Sequence, residues 1–176
     1  FQERLYAIQW TKDKSTEFRT VSNDDLKRED TVINTLKSNF AEWQKKGLIP
    51  DIQIEKGDET ERLYRERGWT HWHHLFCPRQ ILFLALTRKA ISELSDHKEE
   101  MFVLFGRLVD WSSKLCRYGT GAARESVAQT FYNQALNPFF NYGVRPFNFA
   151  KTYLLEDLKS MPLKTDNLVE TCAAGD

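Results

Sequence analysis

The residue types most able to do chemistry lie together between Gly68 and Gln80, in the run GWTHWHHLFCPRQ. It holds His71, His73, His74 and Cys77, with Trp69 and Trp72 among them and Arg79 close behind. Imidazole and thiolate are zinc ligands. On an α-helix, however, His71 and His74 share a face while His73 points elsewhere, so four ligands do not converge. The expectation is no bound metal, with the aromatic residues packed and the imidazoles exposed. Gly68 suits a sharp entry, because glycine adopts backbone angles closed to other residues. Thr70 can cap a short helix with its hydroxyl. Pro78 fits the first turn of the next helix, where its missing N–H costs nothing. Trp69, Trp72, Leu75 and Phe76 recur at three-to-four spacing, which predicts one buried face.

A second candidate lies at Arg117–Arg124, RYGTGAAR. It is no phosphate cradle by motif, since it has neither a P-loop lysine nor GxGxxG. Arg117 and Arg124 can instead grip a nucleic-acid backbone through charge-assisted hydrogen bonds. Tyr118, Tyr132, Phe140, Tyr142 and Arg145 follow, making the region basic and aromatic. Such aromatics stack on exposed bases; the competing reading places Phe131, Phe139 and Phe140 in the core. Asn137-Pro138-Phe139-Phe140 resembles the Asn/Asp-Pro-Pro-aromatic signature of amino-methyltransferases, but Phe139 replaces the second proline and the preceding residues read as helix. No Ser–His–Asp spacing, carboxylate pair or Cys–His dyad stands out, so no catalytic residue is assigned.

The elements that must position these residues are mostly helical. Leu5–Trp10 and Phe18–Val21 alternate apolar and polar residues about a polar turn, which predicts a β-hairpin. Ser22 or Asn23 then caps a helix with Asp24 and Asp25 in its first turn, where the dipole favours them. Leu26, Val32, Ile33, Leu36, Phe40 and Trp43 mark its buried stripe, and Gly47 ends it. Asp51–Arg67 reads as a long, charged surface connection. Pro78–Leu94 and Lys98–Cys116 read as a helical hairpin, with Ile81, Leu84, Ala85, Phe102, Phe105, Leu108 and Trp111 inside. Ser126–Leu136 and Phe149–Leu158 read as further helices, and Asn167–Ala174 as a strand. The predicted fold is mainly α (α+β): an N-terminal β-hairpin, a central helical hairpin or bundle and a short C-terminal strand, in a single domain spanning 1–176.

Composition narrows the function. With 25 basic and 25 acidic side chains, the chain has no global pull toward nucleic acid or membrane. The distribution is uneven: residues 77–151 hold ten Lys and Arg against six Asp and Glu. Cys77, Cys116 and Cys172 are widely spaced and form no CxxC pair, which excludes a zinc ribbon within the chain and fits a reducing cytoplasm. No apolar run reaches the roughly 18 residues of a membrane span, so no membrane partner is expected. Starting at Phe1 and ending at Asp176, the chain reads as a piece of a longer protein.

Several segments, taken in order, resemble one family. They are RLYAIQW at Arg4–Trp10, FAEWQKKGLIPD at Phe40–Asp51, RGWTHWHHLFCPRQILFLALT at Arg67–Thr87, LCRYGTGAARESVAQTFYNQALN at Leu115–Asn137 and NYG at Asn141–Gly143. Together they resemble the central region of large prokaryotic adenine-specific DNA methylases of the DUF1156 type. That resemblance implies a segment lying between an upstream S-adenosylmethionine motif and a downstream Asp-Pro-Pro-Tyr motif, where target-recognition insertions sit in many amino-methyltransferases. The terminal LVETCAAGD is similar to the strand and acidic turn before the downstream motif. The implied role is DNA grip and positioning by Arg79, Arg117, Tyr118, Arg124, Tyr142 and Arg145. The segment itself would bind no cofactor, S-adenosylmethionine belonging to the parent enzyme, and its partners would be DNA and the remainder of the methylase chain. The alternative is a structural or protein-interaction domain bridging methylase halves.

Overall fold

Ser22 opens the longest helix. Its hydroxyl accepts from the Asp25 N–H at 3.3 Å, and the Asp25 carboxylate accepts from the Ser22 N–H at 3.0 Å. This reciprocal box satisfies two donors that the first turn leaves unpaired, and it starts α1 at Asn23–Lys45. At the other end Gly47 takes φ +68°. There the Gly47 N–H reaches Gln44 O at 2.9 Å and the Leu48 N–H reaches Trp43 O at 2.8 Å. This is the paired closure of a helix ending in a left-handed glycine. It turns Leu48 and Ile49 back, so that Ile49 packs with Leu36 and Ala85, flanked by Val32, Phe40 and Trp43. The predicted stripe holds from Val32 onward, while Leu26, a turn and a half earlier, is exposed.

The computed structural model describes residues 5–12, 15–58, 60–116, 118–119, 126–127 and 130. Within them the fold is mainly α with a small β part. The hairpin pairs β1 (Ala7–Lys12) with β2 (Ser15–Thr20), from Ala7 opposite Thr20 to Lys12 opposite Ser15. The expected C-terminal strand, and the helices expected beyond Val127, lie outside the described residues.

The segment 51–67 departs from its expected role as a surface connection. Ile54 is 1% exposed. Its N–H donates to Thr70 O at 2.9 Å, and the Trp72 N–H donates to Ile52 O at 3.2 Å. The Tyr64 hydroxyl closes on Ile54 O. The chain then forms α2 (Glu61–Arg67) and leaves it at Gly68, φ +66°. Three apolar side chains, Ile54, Leu63 and Tyr64, suffice to anchor the segment, while Ile52 stays exposed. Ile54, Leu75 and Leu115 form a second cluster, covered by Leu63, Tyr64, Trp69, Trp72 and Phe76.

After a single 3₁₀ turn at Trp72–Leu75, Pro78 begins α3 (Pro78–Ser92), and α4 runs Lys98–Asp110. The two form the expected hairpin. Leu84, Leu108 and Trp111 make a third cluster with Phe76, Phe83, Phe105 and Val109 around them. Phe102, expected inside, is exposed, as is Leu94 at the end of the helical pattern. Helix α4 stops six residues before Cys116 because buried serines take over its backbone bonding. Ser112 Oγ donates to Leu108 O at 2.5 Å, and Ser113 Oγ accepts from the Leu115 N–H at 3.1 Å. Serine competes with helix hydrogen bonds in this way. Downstream, β3 (Tyr118–Gly119) pairs antiparallel with β4 (Ser126–Val127). The helix expected from Ser126 is therefore a strand at its first two residues.

Candidate functional site

The stretch from Gly68 to Gln80 sits where the clusters meet. Because the turn at Trp72–Leu75 is 3₁₀ rather than α, residues three apart nearly eclipse. His71 precedes that turn in extended backbone, φ −131°, so the run is no helical wheel, and the three imidazoles gather: ring centroids lie 4.5 Å apart for His73 and His74, 5.3 Å for His71 and His73, and 5.5 Å for His71 and His74. This corrects the expectation that His73 points away. Thr70 does not cap the turn either, its hydroxyl being held by His71 Nδ1 at 2.8 Å.

The neighbours fix different tautomers. His73 Nδ1 lies 2.9 Å from Pro50 O, so this nitrogen carries the proton and donates. His74 Nδ1 accepts from the Thr70 N–H at 3.1 Å, so its proton sits on Nε2. With Nδ1 engaged in every ring, the cluster is tied inward. Among the described residues no group of three or more His, Cys, Asp or Glu is arranged to hold a metal ion.

Burial pushes the His73 pKa below the ordinary 6.5, with His71 adding to the effect and the Pro50 carbonyl and Asp51 opposing it. His74 is lowered too, first by burial and then by His73, His71 and Lys114. Both are thus harder to protonate folded than unfolded. The stability that depends on their neutral form is complete above pH 6.5 and is lost as pH falls through the lower folded values. Thermal melts at about pH 7.5 and about pH 5.5 should show a lower Tm at the acid value, and His73→Phe should narrow the difference.

Beside the imidazoles, Trp69 lies among cations. The Arg67 guanidinium is 5.0 Å from its ring centroid and Lys114 Nζ is 5.4 Å away. The Lys114 N–H donates to Leu75 O at 2.8 Å, which brings the loop after α4 onto this stretch. Of the six residues expected to contact DNA, Arg79 is described with its side chain: Arg79 Nε is 2.9 Å from Glu29 Oε1, joining α3 to α1. Tyr118 lies in β3. Arg117, Arg124, Tyr142 and Arg145 lie outside the described residues. Sequence reasoning missed the pairing of Trp69 with Lys114 because 45 positions separate them; the close spacing of Arg67 and Trp69 was the available signal.

A cavity of about 180 Å³ opens on the other side of His73. Leu48, Ile49 and Pro50, folded back at the end of α1, form one wall. Helix α3 supplies Ile81, Leu84, Ala85 and Arg88, and α4 supplies Phe105 and Val109. Phe76 and His73 complete the lining.

No family model, curated protein or solved structure matches the chain. Among the described residues no helix is long and apolar enough to cross a membrane.

Proposed function

We propose that the chain is a DNA-facing, non-catalytic segment of an S-adenosylmethionine-dependent adenine-N6 DNA methyltransferase, serving to grip and position the duplex. The observation that supports the reading is the Arg67–Trp69–Lys114 cluster: Arg67 and Trp69 open one of the two longest stretches resembling that family, and Lys114 immediately precedes the other. A guanidinium and an ammonium held beside one indole place two positive charges together, which attracts the phosphate backbone. Arg79 contributes only by exchanging Glu29 for a phosphate. Arg117, Tyr118, Arg124, Tyr142 and Arg145 are the further DNA contacts of this proposal.

Each neutralised phosphate releases condensed counterion, so binding should be sequence-independent and weaken with salt. Lys114→Gln should lower duplex affinity uniformly across sequences and reduce the slope of log affinity against log salt by about one unit. Titrations at several salt concentrations check this. Unchanged affinity and slope would instead support the bridging reading. That second reading has its own observation: Trp10 and Phe18 on the hairpin, and Val103 on α4 at 76%, are exposed apolar side chains of the kind that meet protein partners.

A further inference from the structure

The cavity between α3, α4 and the Leu48–Pro50 turn has a composition that selects its own ligand. Its lining is apolar apart from two side chains. One is His73, whose Nδ1 is already bound to Pro50 O. Burial keeps this imidazole neutral, so it brings no charge to the cavity. The other is Arg88, which lines the cavity yet is exposed, and so stands at the mouth. Its Nη2 lies over the Gly47 turn, 3.8 Å from where a Cβ on Gly47 would be. The guanidinium takes no ion pair among the described residues, although its neighbour Lys89 pairs with Glu93.

We infer that this cavity binds a small carboxylic acid whose body is a single aromatic ring or a branched aliphatic group. A planar guanidinium offers a donor fork that matches a carboxylate, while the walls formed by Leu84, Ala85 and Val109 match a hydrocarbon. The size agrees: an apolar protein cavity of roughly 150 Å³ accepts benzene, and this one is about 180 Å³. A phosphate ester fits less well, since its second negative charge meets no second cation in the lining. The site stands apart from the Trp69 cluster, and the inference does not rest on DNA binding.

The test uses the whole chain with two probes of nearly equal shape, phenylacetate and its neutral amide phenylacetamide, followed by calorimetry and by perturbation of backbone amide resonances. Phenylacetate should saturate, perturb amides of Leu48, Ala85 and Val109, and weaken about tenfold in Arg88→Gln, as expected for loss of one charge-assisted contact. Phenylacetamide should bind more weakly and be indifferent to Arg88→Gln. Ala85→Leu, which fills the cavity, should abolish binding of both; if that variant fails to fold, the exposed Arg88→Gln substitution decides alone. Absence of saturation, equal binding of the two probes, or an Arg88→Gln affinity for phenylacetate equal to wild type would overturn the inference.

Discussion

Replacing Trp111 with alanine is expected to lower stability by about 3–5 kcal/mol, the range for deleting a large buried aromatic. Trp111 is 8% exposed and closes α4 against Leu84 and Leu108. Its ring also lies 4.8 Å beneath the Arg107 guanidinium, an interaction that alanine cannot make. The cavity left behind would border Phe76 and Phe83, which are tied to α3 and the 3₁₀ turn and have little freedom to collapse into it. Chemical denaturation of wild type and variant gives the measurement. A loss below about 1 kcal/mol would mean the α3–α4 pairing is not where the core lies.

The second large effect is expected at Ile54. Ile54→Ala should cost about 2–5 kcal/mol, because the side chain is 1% exposed and packs with Leu75 and Leu115. A solvated connection predicts something quite different, a change within about 0.5 kcal/mol. Ile52 is the internal control: two residues away and 64% exposed, it should tolerate alanine nearly without loss. The pair of melts therefore decides whether 51–58 is a strap or a linker.

What was legible in the sequence was whatever local chemistry dictates. The cap at Ser22 or Asn23, which the structure gives to Ser22, the Gly47 stop, the Pro78 start and the hairpin alternation each depend on neighbours within a few positions, and each stands in the structure. The failures share a cause of the opposite kind. Ile54 is buried by Leu75 and Leu115, 21 and 61 positions away, and no local pattern announces such partners. The end of α4 was misplaced because an apolar period running through Trp111 and Leu115 outweighed two serines whose backbone bonding only their burial makes decisive. In the candidate site the helical wheel misdirected His73, since a 3₁₀ turn sets its side chains at a different pitch. The approach of Lys114 to Trp69 and the cavity under Arg88 arise from tertiary packing and have no local sequence signature.

Phe76 packs against both the Leu84–Leu108–Trp111 cluster and the Ile54–Leu75–Leu115 cluster. Two groups of side chains that share a ring do not relax separately: a gap opened on one side is felt by the other through the same phenyl group. The strap before the histidines and the helical pair after them are thus joined energetically as well as along the chain. Damage at Ile54 and damage at Trp111 are read by one common residue, so their combined cost is not the sum of two independent losses, and these two clusters behave as one cooperative unit rather than as two side by side.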